Sequence, residues 1–283
     1  MRLSPRSCEH IAFFFLFLCT LLVIAPVATV IAVIVKNGAS AISWEFLTQA
    51  PRNGMREGGI FPAIVGTFYL VLGAVFFALP LGLFAAIYLS EYAKDTPVNR
   101  LVRLAIINLA GVPSVVFGLF GLALFVGFFG FGASILAGSL TLGVMILPVI
   151  ITSSREALES VPKSFREVSL SLGATQLQTI RHAVLPHALP GILTGTILGV
   201  GRAAGETAPI LFTVAAFYLP RLPRHLLDQA MALPYHLYVL STQVPNVDAK
   251  LRYGTALVLV SIVLLMNLIA ITIRSYYRSQ KKW

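Results

Sequence analysis

The chain has 283 residues; 57% are apolar, only 11% are charged, and the formal net charge is +10. Soluble domains carry roughly 25% charged residues, so a soluble class is excluded and an integral membrane protein is indicated. The apolar runs are too long for barrel strands of roughly ten residues, which leaves an all-α polytopic fold. In a soluble chain the positive charge would suggest nucleic acid. Here basic loops on one membrane face account for it, and no nucleic-acid partner is expected.

Six apolar runs are predicted to span, at residues 11–35, 60–90, 104–129, 135–152, 191–219 and 255–273. The first is too long for a signal-peptide core, and bulky Phe17 and Leu18 before Cys19 argue against a lipoprotein cleavage site. It is read as an uncleaved span. Cys8 and Cys19 show no metal or redox spacing. Pro62 and Pro80 lie inside the second run and Pro113 near the start of the third, as membrane helices tolerate. The linkers at 36–59 and 220–254 are long and polar, 91–103 is short and charged, 130–134 is a tight uncharged turn, and 153–187 is polar.

Six spans place both termini on one side. That side holds thirteen basic residues: Arg2, Arg6, Lys94, Arg100, Arg103, Arg155, Lys163, Arg166, Arg181, Arg274, Arg278, Lys281 and Lys282. The other holds seven: Lys36, Arg52, Arg56, Arg221, Arg224, Lys250 and Arg252. The excess predicts cytoplasmic termini.

The fifth run contains Gly199 to Pro209, with Arg202 and Glu206 in its middle. A charge near the bilayer centre costs on the order of 3 kcal/mol, so two need a reason. Their spacing, i and i+4, projects both from one helical face. Gly191, Gly195, Gly199, Ala203 and Thr207 form one small-residue stripe; Gly201, Gly205 and Pro209 form another. Such stripes let a second backbone approach, and Pro209 predicts a kink or break nearby. Two readings stay open: a salt bridge that neutralises itself, or a site on a polar pathway.

The loop before that run is the second signal. Pro162 can open a helix whose apolar face is Phe165, Val168 and Leu172, and Gly173 would end it. A second short helix at about 175–182 would stop before Leu185-Pro186. Periodicity alone describes an amphipathic linker.

Other chemistry is not indicated. There is no Gly-x-x-x-x-Gly-Lys-Ser/Thr, so no nucleotide is bound by that route. His182 and His187 are five apart, a poor spacing for one metal, and no nucleophilic triad can be assembled. No enzyme activity, metal or cofactor is expected. In the outer linker Leu226, Leu227, Ala230, Met231, Leu237, Tyr238 and Leu240 suggest short amphipathic pieces, with Arg221 and Arg224 able to attract an anion to the mouth.

One stretch carries a resemblance. Glu167-Val-Ser, three residues, Gly173, nine residues, Ala183, one residue, Leu185-Pro186 is similar to the EAA loop of ABC importer permeases. Glu167, Gly173, Leu185 and Pro186 match that pattern, whereas Val168, Ser169 and Ala183 depart from it. The run from Gly199 to Pro209 narrows the match. With residues 58–67 and Gly111-Val112-Pro113-Ser114, it resembles phosphate importer permeases of the PstA type, over nearly the whole chain after about residue 55.

The resemblance implies a type I ABC importer permease architecture with six transmembrane helices in a bacterial cytoplasmic membrane. Residues 1–55 would supply the tail, first span and outer loop, and 56–283 the permease domain with its coupling loop at 155–187. Its implied partners are a second related permease subunit, an ATP-binding cassette ATPase dimer docking at Glu167, Gly173, Leu185 and Pro186, and an extracytoplasmic phosphate-binding protein. Inorganic phosphate would pass Arg202, with Glu206 orienting that side chain and Thr207 adding a hydroxyl. The rival readings are an importer of another oxyanion, phosphonate or sulfate, and a secondary anion transporter using the Arg202–Glu206 pair.

Overall fold

The computed structural model describes residues 5–279. Of the basic residues counted above, Arg2, Lys281 and Lys282 lie outside the described residues, as do the side chains of Arg6 and Arg278. The chain is almost entirely helical. In order come α1 (Pro5–Gly38), a short α2 (Trp44–Thr48), a two-stranded ribbon of β1 (Pro51–Arg52) and β2 (Glu57–Gly58), and α3 (Phe61–Ile87). Then follow α4 (Pro97–Ala110), α5 (Ser114–Gly121), α6 (Ile135–Glu159), α7 (Lys163–Ser171) and α8 (Gln176–Thr179). Last are α9 (Leu185–Gly205), α10 (Ala208–Thr213), α11 (Leu233–Thr242) and α12 (Ala249–Ser279). The ribbon is antiparallel, with Pro51 opposite Gly58.

Among the described residues, five helices are long and apolar enough to cross a membrane, and a sixth crossing exists if α4 and α5 form one broken span. Their axes differ by 103°. The third predicted span, 104–129, is therefore not one straight helix. Pro113 explains the break: it has no N–H to donate and its ring disfavours helical backbone at Val112. The fifth predicted span, 191–219, is also corrected. The continuous helix runs earlier, over Gln176–Gly205. The predicted stop before Leu185-Pro186 does not occur. Between Ile180 and Val184 the helix widens to π-type turns, and this widening directly before Pro186 lets the helix pass the missing N–H without ending.

The core lies between α3, α6 and α9. Leu70, Ala74 and Ala78 of α3 meet Leu142, Met145, Ile146 and Ile150 of α6, with Ala203 and Ala204 of α9 completing the cluster. At the end bearing α7, a second cluster joins Ala86, Ala157, Leu158, Val161, Val184, Ala188 and Ile192. The opposite end is closed by the segment before α11. The backbone N–H groups of Ile135 and Leu136 donate to the carbonyls of Asp228 and Leu226, both at 2.9 Å. The N–H of Leu233 donates to Thr67 Oγ1, also at 2.9 Å. Of the outer amphipathic pieces, Ala230, Met231 and Leu240 are buried, while Leu226, Leu227 and Tyr238 stay exposed.

Candidate functional site

Two groups of residues stand at opposite parts of α9. The first is its far end. Gly191 and Gly195 face α6 so closely that a Cβ would strike Ala157 and Ser153. With Gly199 and Ala203 they form the seam on α6, as close helix approach requires. The second stripe divides: Gly201 faces Asn267 of α12, whereas Gly205 is open.

Arg202 lies in the last turn of α9. Glu206 lies just past it, with extended backbone (φ −76°, ψ 137°). The two do not share a helical face. The helix breaks at Glu206 and not at Pro209, because a continuing helix would drive the Pro209 ring into the Gly205 carbonyl. Pro209 instead occupies the first turn of α10, where no N–H is needed. Across this break Arg202 Nε stands 3.5 Å from Glu206 Oε1, with 32% and 17% of the two side chains exposed. That is longer than a well-formed N–H···O bond. Thr207 follows directly, and its side chain does not cap α10.

The second group is the knob formed by α7 and α8. Pro162 immediately precedes α7. At its other end Gly173 has φ +84°, its N–H donates to Leu170 O at 2.9 Å, and the N–H of Ala174 donates to Ser169 O at 3.2 Å. This pair of bonds is a Schellman closure, which needs a left-handed residue at Gly173. Thr175 and Gln178 then form a reciprocal capping box that starts α8. Glu167 is exposed, Leu185 packs against the second apolar cluster, and Pro186 is exposed.

The apolar face expected for α7 is only partly covered by the described residues. Phe165 packs on His187, with ring centroids 4.6 Å apart. Val168 and Leu172 are 61% and 83% exposed. Together with Ser164, Ser169 and Ala183 they line an open groove of about 400 Å³.

What holds the knob is a set of residues that sequence reasoning missed. Arg166 donates from Nε and Nη2 to Glu91 Oε2 and Oε1, at 3.0 and 2.6 Å. It donates as well to the carbonyls of Val161 and Leu158, both at 2.9 Å. Gln176 Nε2 adds a bond to the Glu91 carbonyl at 2.8 Å. The bidentate carboxylate holds the Arg166 guanidinium above its already high ordinary pKa. Glu91 and Arg166 are 75 positions apart. The only trace in the sequence is an acid at the end of an apolar run.

Residues 78–281 match the family described as binding-protein-dependent transport system inner membrane component. The chain belongs to that family. The permease is 34% identical to "Probable ABC transporter permease protein YqgI" of Bacillus subtilis (strain 168), over 89% of this chain and 90% of that one. It is 35% identical to "Phosphate transport system permease protein PstA" of Mycobacterium leprae (strain TN), over 95% and 89%. Its fold is that of a bacterial alginate ABC transporter solved in complex with an alginate pentasaccharide-bound periplasmic protein. There the TM-score is 0.62 at 15% identity, over 94% of this chain and 93% of that one. The permease is accordingly a multi-pass membrane protein of type I ABC importer permease architecture. The structure joins Arg202, Glu206 and Thr207 at one end of α9. Glu167 and Gly173 lie in the knob, and Leu185 and Pro186 begin the helix between the two groups.

Proposed function

We propose that the chain is one of two related membrane subunits of an ATP-driven importer of inorganic phosphate. The observation that carries this reading is Arg202, a cation inside a spanning helix whose ion-pair contact among the described residues, to Glu206, is long and largely buried. Intramembrane charges mark substrate pathways by default, and a guanidinium offers a planar fork suited to a tetrahedral oxyanion. The likeness to a phosphate permease of Mycobacterium leprae favours phosphate over sulfate or phosphonate.

In this reading the chain itself is not catalytic. An ATP-binding cassette ATPase docks on the exposed groove of α7, where Val168 and Leu172 stay open among the described residues. The basic excess puts the knob and both termini in the cytoplasm. A phosphate-binding protein delivers cargo to the opposite end. ATP-driven closure displaces α7, and α9 carries that displacement toward Arg202, seventeen residues beyond Leu185 and about 25 Å along the helix. Glu206 keeps the arginine fork in place and competes with the anion, so that phosphate is bound weakly enough to leave.

The test is reconstitution of the chain with its second permease and ATPase in liposomes. Uptake of radiolabelled phosphate should require ATP and the external binding protein. Uptake driven by a proton gradient without the ATPase would establish the secondary-transporter reading instead. Uptake of sulfate or phosphonate in preference to phosphate would keep the machine and change its cargo.

A further inference from the structure

On the knob side of Arg202, one face of α9 opens into two adjoining grooves. At 100° per residue, Gly191, Thr194, Leu198, Arg202 and Gly205 fall within a sector of about 80°. One groove, about 540 Å³, is lined by Ser153, Glu156, Gly191, Thr194, Leu198 and Arg274 among others. The second, about 420 Å³, adjoins it through Thr194, Leu198 and Arg274 and adds Gly201 and Asn267. The second groove begins at Gly201, next to Arg202, the first at Leu198, one helical turn further on, and both continue toward the knob.

Arg274 and Asn267 are among the polar side chains here that have no partner among the described residues. Span six was expected to end at residue 273, but α12 runs on to Ser279, and this keeps Arg274 on the helix and against the groove. Among the described residues its guanidinium makes no ion pair and no hydrogen bond, although Glu156 lines the same groove. Asn267 lies inside an apolar span, with its amide against Gly201 and likewise without a hydrogen bond among the described residues. Thr194 is different, since its hydroxyl already donates to the Pro190 carbonyl at 2.8 Å. An uncommitted guanidinium and an uncommitted amide on one wall are donors for an oxyanion. An arginine that merely anchors a helix end would extend to the headgroups and would not line a cleft between three helices.

We propose that Arg274 and Asn267, with Ser153 on the opposite wall, form an inner station for the phosphate group that has left Arg202. The proposal rests on the phosphate-importer reading above. A conduit moves ions faster through several weak sites than through one strong site. Glu156 then does at the inner station what Glu206 does at Arg202: it offers the arginine an alternative partner and promotes release. A lipid phosphate carries the same chemistry as the free anion, so the experiment must separate the two.

The experiment uses the assembled transporter with Cys8 and Cys19 replaced by serine, in inside-out vesicles. Asn267→Cys should react with an anionic, membrane-impermeant thiosulfonate, and inorganic phosphate should slow that reaction about tenfold when it fills the site. Arg274→Gln should lower maximal phosphate uptake about tenfold with the apparent KM for entry unchanged, because exit and not capture is affected. Arg274→Lys, which keeps the charge with a simpler donor set, should fall between. Membrane levels of each variant are measured alongside, and the lysine variant serves where the glutamine variant is not inserted. An inert Asn267→Cys overturns the station, as does labelling that responds to anionic lipid content and not to phosphate. Wild-type uptake by Arg274→Gln overturns it too. Absence of ATP-dependent phosphate uptake in the unmodified complex would instead sink the parent reading, so the two failures are distinguishable.

Discussion

Arg166 in the knob and Arg202 in the span each face a glutamate, yet the two sites are built differently. Arg166 makes four hydrogen bonds, two to Glu91 and two to backbone carbonyls. That occupies all but one of the five donors a guanidinium has. Its partner Glu91 is 8% exposed and also accepts from Ser90 at 3.1 Å. Arg202 makes one ionic contact of 3.5 Å, across a broken helix end. A guanidinium with four of its five donors committed is an anchor, because too little is left on it to grip a ligand. An unsaturated one inside a membrane costs free energy, which is the reason for proposing a pathway role for Arg202.

The sharpest break of this comparison is at Arg202. Arg202→Gln should reduce phosphate uptake by about 100-fold or more, the loss expected when a charge-assisted fork to the anion is removed. Membrane levels and ATP hydrolysis should persist. Glu206→Gln should reduce uptake less, by leaving the arginine misplaced or too adhesive. If the pair only neutralised itself, each single change would damage folding and Arg202→Leu with Glu206→Leu would restore transport. Uptake and membrane level, measured for both singles and the double, decide between these accounts.

The effect at the knob should be on stability first. Glu91→Gln or Arg166→Gln leaves one charge of a largely buried pair unmatched, at a cost of about 3 kcal/mol. Exchanging the two residues should not restore the loss. A glutamate at position 166 would face the carbonyls of Leu158 and Val161, which accept and cannot donate. Thermal unfolding in detergent, together with recovery of bound ATPase, reads both effects. An Arg166→Gln protein that melts like the unmodified one would show that saturation is not what distinguishes the two arginines.

How much of this was legible depends on the range of the interaction. The turn at Gly173, the helix start after Pro162 and the proximity of Arg202 to Glu206 are local, and one residue type at one spacing implies each of them. Breaks were half legible. Pro209 announced that a helix would bend, whereas Pro113 was read as a proline that an unbroken span would tolerate. Whether a helix bends by 103°, as at Pro113, or restarts with the proline in its first turn, as at Pro209, depends on what packs around it. The passage of the helix through Leu185-Pro186 was misjudged because local widening between Ile180 and Val184 has no signature in residue type. The Glu91–Arg166 anchor was not legible at all. It joins the ends of different spans, and only the packing of α3 on α6 brings them together.

A smaller effect isolates backbone from side chain. Gly173 has φ +84°, and nothing lies within 4 Å of where its Cβ would stand. Gly173→Val should therefore cost about 1–2 kcal/mol through left-handed backbone strain alone. Its readout is reduced ATPase recovery with normal membrane insertion. Gly173→Asn should cost less, since asparagine tolerates that region. Gly205 is equally open but has no positive φ, so Gly205→Ala serves as the neutral control. Undiminished ATPase binding in Gly173→Val would remove the reason for treating this turn as part of the docking surface.

The smallest effect comes from a third arginine. Arg100 donates from Nε and Nη2 to both oxygens of Asp95 at 2.8 and 2.7 Å, a fork as short as that of Arg166. Geometry alone would rank the two together. Burial separates them, because both side chains of this pair are 64% exposed, and water with dissolved salt screens the attraction. The hydrogen bond from Arg100 still holds the Asp95 carboxyl below its ordinary pKa. The sign follows: the contribution is present above the carboxyl's ordinary range and is lost as the pH falls through its lowered value. Arg100→Gln should leave thermal unfolding at neutral pH unchanged within measurement error, and added salt should make no difference to that result. Were Arg100→Gln to destabilise the protein as much as Arg166→Gln, the length of the fork would be the deciding quantity. The contrast between the knob and the span would then have to be drawn on bond geometry, without reference to burial.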